Sequence, residues 1–147
     1  MAYNNFILTD NYNKTISSLF MGNSDKLYMV IGSGNESWDT DGLPTSYPTN
    51  EKVVNEVARL HIDTNNIAYV NPDDIETVSD EPTNTIRINI DVESSLLNNQ
   101  YIREYGLYGI NANDTSESGI MFEYCNFTKL LIPADTIWKK SFYLKIQ

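Results

Sequence analysis

From Thr85 to Val92 the chain alternates without a break: Ile86, Ile88, Ile90 and Val92 fall on one side, Arg87, Asn89 and Asp91 on the other. A period of two puts successive side chains on opposite faces of a pleated strand, and β-branched residues suit that surface. The segment therefore reads as a half-buried antiparallel strand with one dry face and one wet face. Phe142, Leu144 and Ile146 alternate with Tyr143, Lys145 and Gln147 in the same way. So do Ile120, Phe122 and Tyr124 against Met121 and Glu123.

Further strands are predicted over Leu27 to Ile31, Arg59 to Asp63, Ile67 to Val70 and Tyr105 to Ile110. The Thr64-Asn-Asn66 break between two of them suits a tight hairpin. About seven strands separated by turn-rich segments favour a mainly β chain, either an antiparallel two-layer sandwich or a partly open barrel. One N-terminal α-helix is expected over residues 11 to 21, capped by Asp10 and ended by Gly22, with Ile16, Leu19 and Phe20 at three-and-four spacing. Three turns are marginal in isolation, so that stripe must bury, either on its own sheet or on a neighbour. Thr49 to Val57 suits a short helix or a strand equally. Gly32 to Asn50 and Asn71 to Asn84, with Pro44, Pro48, Pro72 and Pro82, read as long loops of the kind that carry function or are ordered by a partner. Residues 1–147 are read as one domain, with the β part spanning 24–147, because this length suits a single core.

Charge narrows the partners. Ten Lys and Arg against twenty Asp and Glu leave a net charge of −10, which repels a phosphate backbone and gives no affinity for an anionic membrane surface. Neither nucleic acid nor membrane is expected as a partner, and no apolar run approaches the ~20 residues that span a bilayer. Met1 to Asn5 lacks the basic start of a secretory signal, and Cys125 is the only cysteine, so folding in a reducing cytoplasm is expected.

The residues that carry chemistry elsewhere do not form a constellation here. Gly32-Ser-Gly34 lacks the third glycine of a dinucleotide loop, since Ser37 stands there, and no Walker lysine follows. His61 is the sole histidine and reads as a half-buried strand residue; Cys125 reads as a small buried thiol. Glu36, Asp39 and Asp41, and Asp73 to Glu81, read as solvated acidic loops, a hard cation being the alternative. No catalytic residue, cofactor or metal is therefore assigned. Glu56 and Arg59 form an ion pair if their segment is helical. Arg103 and Glu104 read as charges flanking a hydrophobic strand and pairing across to another one. Trp38, alone in a Gly/Pro/Asp loop, either pins that loop to the sheet or anchors a partner.

Leu27-Tyr-Met-Val-Ile-Gly-Ser-Gly34, then Trp38, a spacer with Pro44 and Pro48, then Val54-Asn-Glu-Val-Ala-Arg59, resembles the N-terminal module of phage tail-collar and tail-fibre proteins. Ile102-Arg-Glu-Tyr-Gly-Leu-Tyr108 with the strands after it is similar to that module's second half, so the likeness runs from about residue 12 to residue 147. Fibre proteins of this type continue into a shaft and tip, whereas this sequence ends at Gln147, which points to an adaptor or baseplate part.

The resemblance implies a virion structural protein, made in the host cytoplasm and assembled into the tail, baseplate or fibre attachment point. Its partners would be other tail, baseplate or fibre proteins, in a homo- or hetero-oligomer. Ile16, Leu19, Phe20 and Trp38 are the interface candidates. The alternative is a carbohydrate-binding β-sandwich that stacks exposed aromatics on host-surface glycans, and a small hydrolase using loop carboxylates is a third class.

Overall fold

The computed structural model describes residues 9, 11–47 and 49–146, so the cap expected at Asp10 lies outside the described residues. The elements run α1 (Asn11–Gly22), a 3-10 turn (Ser24–Lys26), β1 (Tyr28–Gly32), a single helical turn α2 (Trp38–Asp41), β2 (Glu56–His61), a 3-10 turn (Thr64–Asn66) and β3 (Ile67–Asn71). β4 (Asp74–Val78), β5 (Thr85–Glu93), a 3-10 turn (Ser94–Leu97), β6 (Ile102–Gly109), β7 (Ile120–Leu130) and β8 (Ile137–Lys145) follow. The strands form two antiparallel four-stranded sheets, ordered β2-β1-β6-β7 and β4-β3-β5-β8. The mainly β, two-layer architecture with an N-terminal helix is the expected one, with eight strands rather than about seven among the described residues.

The core lies between the sheets. Ile86, Ile88, Ile90 and Val92 of β5 meet Met29 and Ile31 of β1 and Tyr105 and Leu107 of β6 in one buried cluster. Each fully buried aliphatic side chain contributes about 1.5–3 kcal/mol, so the unbroken alternation of β5 acts as the base of the second sheet. β5 pairs with β8 over nine consecutive positions, Thr85↔Lys145 to Glu93↔Ile137, which places Trp138, Phe142 and Leu144 on the same inner face.

The first sheet departs from the wet-and-dry pattern. Every residue of β1 and of β6 is buried, because Val53, before β2, and Ala112, in the turn after β6, pack on the sheet's outer face. Beneath them a second cluster forms from Tyr28, Val30, Val53 and Tyr108, with Ala112, Met121 and Tyr124 against it.

Irregular registers explain several further differences. β7 slips between Leu107 and Tyr108, so Tyr108 faces Met121 while Leu107 faces Glu123. The extra residue breaks the Ile120–Phe122–Tyr124 face: Ile120 and Phe122 are exposed, and Tyr124 and Met121 join the outer cluster. In β2, Gly32 faces Glu56 and Ile31 faces Ala58, leaving Val57 as the extra residue. That shift returns Glu56 and Arg59 to one side, so they pair in a strand rather than across a helical turn. Thr64–Asn66 is no hairpin, since β2 and β3 belong to different sheets and the turn crosses between layers. The expected loop over Asn71 to Asn84 contains β4, whose five residues are all exposed. His61, expected to be half-buried, is exposed at the end of β2.

Candidate functional site

Arg103 and Glu104 do not flank the strand as surface charges; both are buried. Glu104 sits opposite Gly32 in the β1–β6 register, and its carboxylate accepts hydrogen bonds from the backbone N–H of Gly34 (3.0 Å), Val54 (2.9 Å) and Asn55 (3.2 Å) and from the Tyr124 hydroxyl (3.0 Å). No Lys or Arg pairs with it among the described residues. Backbone donors thus satisfy a fully buried anion, the arrangement that burial of a carboxylate requires. A Cβ on Gly32 would stand 2.4 Å from Glu104 Oε2, so only glycine leaves room for this carboxylate. Burial, then the charge and hydrogen bond of Glu104, push the Tyr124 phenol well above its ordinary pKa.

Arg103 grips the other end of the same segment. Its Nε and Nη2 donate to the two carboxylate oxygens of Asp39 at 2.9 and 2.6 Å, and its Nη1 donates to the Ser33 carbonyl at 2.9 Å. The hydrogen bonds from Arg103, and secondarily its charge, hold the Asp39 carboxyl below its ordinary range despite partial desolvation. Trp38, next in chain, lies half-buried against Gly34 and Arg103: a Cβ on Gly34, whose φ is +63°, would stand 2.4 Å from the indole and 3.0 Å from Arg103 Cβ. Gly32-Ser-Gly34 is therefore the floor on which Glu104 and Trp38 rest.

A third tie closes the end of the sheet. Arg59 donates to both oxygens of Glu56 at 3.1 and 2.9 Å and to the carbonyls of Asn113 and Ser118, holding the turn after β6. Burial raises the Glu56 carboxyl, but the hydrogen bonds from Arg59 and from the Glu117 N–H outweigh it and leave the carboxyl lowered. Tyr108 accepts from the Val53 N–H at 2.9 Å, and Tyr28 donates to Asp114 at 3.1 Å. These polar contacts are internal ties.

One exposed surface among the described residues is apolar and concave. Beside the C-terminal end of α1 runs an open groove of about 1040 Å³, walled by Leu19 and Phe20, by the turn Gly109–Asn113, by Phe122 and by the end of β8. Leu19 is 62% exposed, Ile110 67%, Phe122 44% and Tyr143 39%. The Phe20 ring meets Phe122 edge to face, with centroids 5.7 Å apart, which fixes the helix on β7 and forms part of the groove wall. Buried Ser17 donates to the Thr83 carbonyl and ties the same helix to the segment before β5.

Of the four interface candidates, the structure gathers Leu19 and Phe20 in the groove. Ile16, on the same helix, is half-buried, and Trp38 is placed elsewhere, in the segment gripped by Arg103. Ile110 and Phe122 escaped sequence reasoning, whereas Tyr143 is exposed as the wet face read for the last strand has it. The turn after β6 directs Ile110 outward and the β7 slip directs Phe122 outward, and neither is marked in the sequence. Cys125 is half-buried in β7. Asp39 is engaged by Arg103 rather than freely solvated, and among the described residues no three His, Cys, Asp or Glu side chains cluster as a metal site. No helix among the described residues is long and apolar enough to cross a membrane. No protein-family model matches this chain, nor does any curated protein.

Proposed function

We propose that this chain is a structural part of a phage tail, at the baseplate or fibre attachment point, and works by binding neighbouring subunits rather than by catalysis. The groove beside α1 carries the reading: four large apolar side chains stand exposed on one concave surface, the usual mark of a protein-binding site. The disposition of the polar residues supports it as well. The stretches that resemble the tail-collar module, Leu27–Gly34, Trp38, Val54–Arg59 and Ile102–Tyr108, meet on one sheet and are joined by Glu104, Arg103 and Arg59. In this reading they form a rigid scaffold, and contact with partners falls to the groove. Trp38, lying against Gly34 and Arg103, lends no support to the alternative in which it stacks on a glycan.

Quantitative mass spectrometry of purified particles tests the proposal. The chain is expected at a fixed multiple of three or six copies relative to the other tail proteins. Its absence from particles would overturn the assignment.

A further inference from the structure

The groove has a charge sign and a strained residue that narrow what it binds. In a chain of net charge −10, the groove wall contains Lys26 and Lys145 and, among the described residues, no Asp or Glu side chain. Ile110 adopts φ +29° and Asn111 φ +64°. A left-handed conformation is ordinary for asparagine but costly for a β-branched residue, whose Cβ crowds the backbone there. Ile110 is also 67% exposed, so neither backbone preference nor burial among the described residues accounts for isoleucine at that position. Strain of this kind is held in place by the surroundings and concentrates at binding and switching sites.

We propose that the groove receives an amphipathic helix of a partner protein, with an apolar stripe against Leu19, Ile110 and Phe122 and carboxylates that reach Lys26 and Lys145. This names the kind of partner for the assembly role given above and rests on that reading. Helix-in-groove recognition needs a concave apolar wall that meets a side-chain stripe, and this wall is built of side chains from α1, the turn after β6, β7 and β8. A second copy of the chain is the poorer occupant, because two molecules each carrying −10 repel.

The test uses two labelled ~16-residue peptides, long enough to hold a helix, with identical leucine stripes flanked by glutamates in one and lysines in the other. Fluorescence anisotropy with the full chain is expected to show the glutamate peptide bound about tenfold more tightly, and the double variant Lys26→Glu/Lys145→Glu to reverse that order. Ile110→Asn relieves the backbone strain, so it is expected to weaken binding about tenfold while leaving Tm unchanged or higher. Equal affinity for the two peptides, or no binding, would overturn the proposal. So would a fall in Tm in Ile110→Asn, which assigns the residue to the fold, or self-association in sedimentation that Ile110→Asn abolishes, which assigns the groove to a second copy. The peptides need no particle, so this outcome is independent of whether the chain is found in one.

Discussion

Glu104 shows how much a single side chain determines here. With no exposure and four donors on its carboxylate, it joins β6 to the segment 33–55, which lies far away in sequence. Glu104→Gln keeps the shape but turns an NH2 toward a backbone donor, so it is expected to cost about 2 kcal/mol, seen as a lower urea midpoint at unchanged m. Gly32→Ala pushes a methyl into that carboxylate and is expected to destabilise by about 1–3 kcal/mol. Two carboxyls give opposite pH dependences. Asp39 is lowered by Arg103, so its contribution is present above the unfolded aspartate pKa of about 3.9 and is lost as pH falls through the folded value; Asp39→Asn should flatten Tm against pH in that acid range. Burial raises the Glu123 carboxyl, with Lys140 opposing weakly. The folded state therefore holds that proton more tightly and loses stability as pH rises from the unfolded glutamate value through the folded one, so Glu123→Gln should raise Tm at pH 7. In the sequence, Arg103-Glu104 looked like a pair of surface charges. Local pattern reports which face of a strand a residue occupies, and it is silent on whether distant chain covers that face.

Elements were legible in proportion to their regularity. β5 was read almost to the residue because β8 runs alongside its whole length without a break and its outer face stays accessible at Asp91 and Glu93. β6 has no such alternation, since both of its faces are buried. β4 went unseen because all five of its residues, Ile75 and Val78 included, are exposed and it meets β3 at only two register positions, Val70↔Val78 and Asn71↔Asp74. The extra residues in β2 and β7 invert side-chain parity without any mark in the sequence, which is why Phe122 was assigned to the wrong face. Helix α1 was placed well by its apolar spacing and by Gly22, and the structure shows one of the two fates foreseen for it, since Phe20 and Met21 pack on the core, while Leu19 stays exposed in the groove. Phe20→Ala is expected to lower stability by about 2 kcal/mol, less than the ~3–5 kcal/mol of a fully buried aromatic, measured by urea unfolding. Leu19→Ser, exposed, should change stability by less than about 0.5 kcal/mol in the same assay.

The molecule as a whole divides its labour between two surfaces of the first sheet and the rim beside it. The outer face is sealed by three polar ties centred on Glu104, Arg103 and Arg59, and the groove beside α1 stays open and apolar. Composition fixes a net charge of −10, which repels phosphate, but no composition locates a groove assembled from α1, the turn after β6, β7 and β8. The most direct test compares wild type with the double variant Ile110→Asn/Phe122→Asp in purified tail particles by quantitative mass spectrometry, after circular dichroism has established that the variant is folded. Wild type is expected at a fixed ratio to the other tail proteins, with the variant reduced at least about tenfold, as loss of a central apolar contact implies. Equal incorporation of a folded variant, or no wild type in the particles, would contradict assembly through this groove.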